Sequence, residues 1–371
     1  MRRALVILVL IGLVAVSAIV AVVAADWPFW QRAWRWHAAP AAGPEHIPGA
    51  WHWIGAGSGT PWASPDQAGT EAVSIDALVR QVPTRALVAS RHGRLVAEVY
   101  GEDSSADQLL QGGALSGAIL APLYGVARAG GLDLLDQPLR RLSPALGEDP
   151  RGEITPRQLL WQVSGLGAPS WRPLDPFNPR SRLFAGPDFD RAARGFPVHW
   201  PPGSHFETSP ANLQLAAGAL VSVGGISLAQ WLETGLWGPI GAGRARVALD
   251  RLGGGMAAHC CMAATARDWL RLAQLYGSDG IVAGRRLWPA GFVSREIARV
   301  TAVHPAYGLG VEIETLGDGS LLLWSGDAHR TMLAVPARGL AAVWFTRGSA
   351  GSGERMLLKA ALGLDVDEAN P

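Results

Sequence analysis

Residues Leu109–Leu139 read LLQGGALSGAILAPLYGVARAGGLDLLDQPL. Leu115, Ile119, Leu120, Leu123 and Val126 recur at three- and four-residue steps, the period that lays one apolar stripe along a helix. Gly130-Gly131 ends that helix, because glycine enters the left-handed region past a last turn without steric cost. Leu132–Leu139 then makes a loop closed by Pro138. The spacing predicts a buried helix over Leu109–Gly130, and the rest of the chain is read outward from it.

The chain has 371 residues, 49% of them hydrophobic, enough for one large domain or two and too apolar for disorder. A net charge of +1 without a dense basic stripe argues against nucleic acid as a partner. Arg285-Arg286 reads as solvated surface. The nine His show no metal-ligand spacing and neither C-x-x-C nor H-E-x-x-H occurs, so neither a metal nor another cofactor is expected. Gly112–Gly117 has the outline of a phosphate loop, but Ala118-Ile119 stands where Lys-Ser/Thr is required. Cys260 and Cys261 are the only cysteines and are adjacent, so they can close no loop. Two buried thiols are expected there, since a vicinal disulfide is strained.

Ala4–Ala25 is an uncharged run of 22 residues. As a helix it reaches about 33 Å, enough to cross a hydrocarbon core of about 30 Å. Arg2-Arg3 before it places the N-terminus in the cytoplasm and the remainder outside. Trp27, Trp30, Trp34 and Trp36 follow, interleaved with Arg32 and Arg35, as in segments that sit at a membrane surface. The organisation expected is therefore an anchor at 1–25, a Trp-rich juxtamembrane segment and linker at 26–65, a globular domain at 66–365 and a tail at 366–371. A single-pass protein of the cytoplasmic membrane with its domain periplasmic, or otherwise extracytoplasmic, follows; a leader cleaved near Ala24-Ala25 is the alternative.

Within the domain, Arg85–Ser90 and Leu95–Tyr100 flank a Gly-containing turn and predict a hairpin. Ile154–Leu166 reads ITPRQLLWQVSGL, with Thr155 placed to cap a helix and Pro156 at its first position. Trp200–Asn212 reads WPPGSHFETSPAN, a loop leading into a helix around Leu213–Val223. Gly253–Met256 is followed by Ala263–Leu272, ATARDWLRL after its first Ala, with Thr265 as a second cap. Strand-like runs close the chain at Tyr307–Ile313, Ser320–Ser325, Met332–Val335 and Leu340–Phe345, before a helix over Arg355–Leu364.

These stretches, in this order, resemble the serine β-lactamase, penicillin-binding protein and esterase superfamily. The resemblance is nearest to the class C β-lactamase, esterase and 6-aminohexanoate-dimer hydrolase branch, and it covers residues 66 to 365. It implies an α+β fold: an antiparallel sheet of the first hairpin and the last strands, flanked by helices, with a mostly helical subdomain inserted. In such proteins the central helix opens with S-x-x-K, the nucleophile and the base that helps activate it. Counting from Gly130-Gly131 and Pro138 puts that motif on Ala114 and Gly117. Lys359 is the only lysine in the chain, so neither S-x-x-K nor K-[ST]-G exists anywhere in it. Arginine is too basic to take a serine proton. Ser116 lies in the same turn with no base three residues on. The family's Tyr falls on Thr208 and its Asn on Pro210, while Asn212 comes two residues late. Its third motif falls on Gly326-Asp327-Ala328, where a carboxylate would face a developing oxyanion.

A cleft is expected among Ala114, Ser116, Gly117, Ser164, Thr208, Gly326, Asp327 and Ala328, with His329 at its rim. No G-x-S-x-G elbow occurs; Ser164 or Ser209 with His205 or His329 would be the convergent alternative. Two functions follow from the resemblance. One is a non-catalytic relative that binds a cell-wall fragment, a small acyl ligand or a protein partner. The other is an active esterase, amidase or cell-wall peptidase with relocated groups. Simultaneous change at all three motif sites favours the first.

Overall fold

The computed structural model describes residues 2–38, 49–55, 61–62, 70–172, 174–348 and 352–364. The tail read at 366–371 lies outside them. Helices α1 (Arg2–Ala25) and α2 (Trp27–Ala38) come first, then strand β1 (Ala50–Ile54) and helix α3 (Thr70–Gln81). Strands β2 (Thr84–Arg91) and β3 (Arg94–Tyr100) form the expected hairpin. A short strand β4 (Leu110–Gln111), a 3-10 segment at Gly113–Ile119 and helix α4 (Leu120–Ala129) follow. The helical subdomain contains α5 (Leu139–Leu142), α6 (Pro156–Leu160), α7 (Pro179–Ala185), α8 (Phe189–Arg194), α9 (Pro210–Gly224) and α10 (Leu228–Leu232). Next come β5 (Ala245–Leu249), β6 (Met262–Ala264), α11 (Ala266–Gly277) and the small hairpin of β7 (Ile281–Val282) and β8 (Arg285–Arg286). The chain closes with β9 (Glu312–Thr315), β10 (Leu321–Asp327), β11 (Arg330–Val335), β12 (Leu340–Thr346) and α12 (Ser352–Ala361).

The main sheet has the antiparallel order β3-β2-β12-β11-β10-β9, with Arg91 opposite Leu340 and Ala86 opposite Phe345. Period-two alternation sends the two sets of side chains to opposite faces. Leu87, Ala89, Leu333 and Trp344 pack with Ile75 and Leu78 of α3 and Leu358 of α12. Ala86, Val88, Ala334 and Val343 face the larger core, shared with α4, α11 and the helical subdomain. The fold is thus α+β, an antiparallel sheet flanked by helices with a helical subdomain. Local capping agrees with this topology: Thr155 and Gln158 form a reciprocal capping box on α6, and Thr265 caps α11.

Four local readings change. The helix expected from Leu109 starts only at Leu120. Leu110-Gln111 pairs instead with Ala264-Ala263, and a Cβ on Gly112 would lie 2.4 Å from the Trp269 ring. Packing against that indole fixes an extended entry and a tight turn, overriding the helical periodicity. Part of the stretch read as linker is strand β1, which pairs with β5 and lays Trp51 against Arg246 and Trp53 against Arg244. Tyr307–Ile313 is strand only from Glu312, Tyr307 making an isolated bridge to Glu312. Cys260 and Cys261 are not thiols but are bonded to each other, with the Cys261 backbone in the left-handed region at φ 74°.

Candidate functional site

The 3-10 segment, the start of α9 and the end of β10 converge on a cavity of about 360 Å³. Ala114, Gly117, Thr208 and Gly326, four of the positions singled out in the sequence, all border it. A second hollow of about 470 Å³ continues from it, the two sharing Thr208, Tyr307, Glu312 and Trp324. Ser209, the convergent candidate, borders it too, while Ser116, Ser164, Asp327, Ala328, His205 and His329 lie off this lining. Ser116 is fully buried and its Oγ accepts from the Met262 amide at 3.1 Å. Ser164 donates to Asn212 Oδ1 at 2.6 Å, and Asn212 is itself fully buried. Ala328 and His329 are exposed at the β10–β11 turn, with His329 Nδ1 2.8 Å from the Gly348 carbonyl oxygen. Asp327 pairs with Arg330 at 3.1 Å and accepts the His329 amide at 2.9 Å.

Three local features decide what this cavity can do. Ala114 carries no nucleophile, and its amide, 3.4 Å from Asp327 Oδ2, is directed at a carboxylate. An oxyanion forming beside residue 114 would compete with that charge for the same donor. Gly117 carries no base, and a Cβ there would sit 2.8 Å from Leu213 Cδ1, so that side chain would have to shift. Gly326 has φ 121°, and a Cβ on it would lie 1.8 Å from the Arg330 carbonyl oxygen, so the strand edge at the cavity requires glycine.

Much of the polar lining comes from residues outside the family's motif positions. Gln162 holds a left-handed backbone, φ 59°, beside the cavity. Its Oε1 accepts the Ser209 amide at 2.9 Å and Asn212 Nδ2 at 2.7 Å, which holds that uncommon conformation in place. The Ser209 hydroxyl is buried on the lining without a hydrogen-bond partner. His259 borders the cavity too. Gln214 Oε1 already accepts the Ala258 amide, so His259 Nδ1, 3.2 Å from it, is the donor of that contact. This tautomer leaves His259 Nε2 as a buried acceptor with no partner. Burial pushes its pKa down to about 3, so the ring is neutral. Arg180 supplies a positive charge, while Glu312 is paired with Arg355 at 2.6 Å. Burial, with Glu312 nearby, raises the Tyr307 phenol well above its ordinary range.

None of the convergent pairs considered from sequence is in contact. Ser164 is committed to Asn212, and His205 stacks on Trp200 at 4.0 Å between ring centroids. Arg180, His259 and the Tyr307–Trp324 stretch stand far apart in sequence and carry no motif, so only the fold could assemble them. Among the described residues no group of three or more His, Cys, Asp or Glu could hold a metal ion. The arrangement offers a half-open groove with hydroxyl, imidazole and guanidinium groups along indole and phenol walls. That chemistry orients a ligand.

A model of the family described as Beta-lactamase matches residues 72–365. Among solved structures, a putative 6-aminohexanoate-dimer hydrolase from Bacillus anthracis is 18% identical, with TM-score 0.70 over 85% of this chain and 90% of that one. A penicillin-binding protein homolog from Caulobacter crescentus is 15% identical, with TM-score 0.64 over 82% of this chain and 99% of that one. FmtA from Staphylococcus aureus is 13% identical, with TM-score 0.59 over 83% and 91%. At these identities the likeness is one of fold. No curated protein matches the chain.

Proposed function

The chain belongs to the Beta-lactamase family, and from that membership we propose a membrane-anchored, extracytoplasmic relative that has lost covalent catalysis and recognises a ligand or partner through its cleft. The observation that carries this reading is Leu213. Its Cδ1 stands 2.8 Å from where a Cβ on residue 117 would begin, which supports reading the family's base position as unused. With Ala114 and Thr208 beside it, no nucleophile, amine or phenol stands at the three motif positions. Losing members of such a unit costs orders of magnitude in rate, non-additively. The cleft's ligand is a cell-wall fragment, a small acyl compound or a segment of a protein partner.

The anchor in this reading is α1, whose Val6–Ala25 is long and apolar enough to cross a membrane. Arg2-Arg3 before it favours a cytoplasmic N-terminus. N-terminal sequencing of membrane-extracted protein tests it; a start near Asp26 in a soluble fraction would overturn the anchor.

A second reading rests on Ser209, a cavity-lining residue whose hydroxyl has no hydrogen-bond partner. Against it stands His259, which burial makes a very weak base. One experiment separates the two: purified full-length protein is incubated with muropeptides, a penicillin, an activated ester and a fluorophosphonate. The recognition reading expects a raised melting temperature with a muropeptide, and no adduct or turnover. Sustained hydrolysis abolished by Ser209→Ala would replace it with the second reading.

A further inference from the structure

We infer that the loop Leu174–Phe177 is a second bilayer contact, and that the apolar cavity between it and α1 is filled by lipid acyl chains. This rests on the reading of α1 as a membrane span. Phe177 is 85% exposed and Leu174 37%, although both are large and apolar, and Pro176 stands beside them. An aromatic side chain that free in water gains nothing unless something apolar covers it. The loop is not on a remote face. Pro176 and Phe177 meet Ile19, Val22, Val23 and Trp30 around a hollow of about 340 Å³. Residues 19–25 are the last two turns of α1, the outer ~10 Å of the span at 1.5 Å per residue. Whatever surrounds that end of the helix therefore also surrounds Phe177.

The height of the loop is fixed by charged contacts on the polar side of the same junction. Arg182, on the helix that the loop leads into, is ion-paired with Asp26 at the end of the span and lies over the Phe29 ring at 5.1 Å. Arg32 Nη1 donates to the Gly186 carbonyl at 2.7 Å, holding α2 against the end of α7. The loop therefore cannot swing away from the span without breaking buried contacts. Trp30, whose side chain also lines this hollow, brings an indole, the ring favoured where an apolar surface meets a wet edge. Trp27 and Trp34, 57% and 63% exposed, extend the same interfacial belt. Arg180, three residues beyond Phe177, borders the cleft, so the cleft wall begins where the bilayer contact ends.

The test uses full-length protein in phosphatidylcholine–phosphatidylglycerol vesicles, with and without bromine on the acyl chains. Cys260 and Cys261 are bonded to each other, so a single introduced thiol accepts a fluorophore. Phe177→Cys and, separately, Val20→Cys in the span are labelled. Bromine should quench both labels severalfold. Quenching at position 20 with none at 177 overturns the loop contact while the anchor stands. Quenching at neither overturns the anchor, and the loop contact with it.

Discussion

Gly117→Ala is the perturbation that tests the filled base site most directly. Residue 117 has no positive φ, so alanine there meets no backbone strain. Replacing a helical glycine should by itself stabilise the fold by ~0.4–1 kcal/mol. The new methyl, however, starts 2.8 Å from Leu213 Cδ1, against an ordinary carbon–carbon contact of about 3.5–4.0 Å. Leu213 must retreat by roughly 1 Å. It is the end of a flexible side chain bordering a cavity, so the cost belongs at the low end of the ~1–3 kcal/mol overpacking range. With Leu213 present the substitution should be neutral to destabilising, by up to about 1 kcal/mol. In a Leu213→Ala background it should stabilise by ~0.4–1 kcal/mol. The sign changes, and the coupling of about 1 kcal/mol is read from a double-mutant cycle of denaturant unfolding on the solubilised full-length protein. If the two backgrounds agree within ~0.5 kcal/mol, Leu213 does not occupy the site and the base position is open.

Gly326→Ala forces a Cβ against the Arg330 carbonyl at 1.8 Å, with φ 121°; it should destabilise by about 3 kcal/mol or more and abolish ligand-induced thermal shifts. Ser164→Ala leaves the buried Asn212 Oδ1 without its donor and should cost about 1–3 kcal/mol in the same unfolding assay. For His259 the folded pKa, about 3, lies below the ordinary 6.5. The unfolded chain therefore takes up a proton first as pH falls. The stability held above 6.5 should decline by ~1.4 kcal/mol per pH unit from there toward 3, and His259→Gln should remove that share of the slope in unfolding curves collected across the window. Alkylation of the denatured, unreduced protein should label no cysteine, and labelling after reduction should add two groups by intact mass; two groups without reductant would refute the Cys260–Cys261 bond.

Local signals carried much of the fold. The 84–100 hairpin, the Thr155 and Thr265 caps and the last three strands of the main sheet stand where alternation and capping chemistry put them, because each depends on neighbours in sequence. Readings failed where a distant group decided. Leu110-Gln111 is extended because Trp269 and Ala264 hold it, 150 residues later and more, and no periodicity records that. Trp51 and Trp53 form a strand inside a Gly- and Pro-rich stretch because β5 offers an edge and Arg244 and Arg246 offer cations. The cavity divides the same way. Ala114, Gly117, Thr208 and Gly326 were reachable by counting from framework motifs. Arg180 and His259 were not, since each is an isolated polar residue whose meaning comes from the wall it joins.

The place of β12 in the sheet sets a clock on the protein's manufacture. It is inserted between β2 and β11, so the hairpin made near residue 90 keeps a bare edge until residue 340 arrives, about 250 residues later. At ~5–20 residues per second, that edge waits roughly 10–50 s on the ribosome. An unpaired strand in a nascent chain invites pairing with the wrong partner. The early product therefore needs a holdase or its own helical subdomain for cover. A chain stopped before Leu340 would leave one edge of β2 and one edge of β11 unpaired and be a target for quality control, however intact its cleft residues.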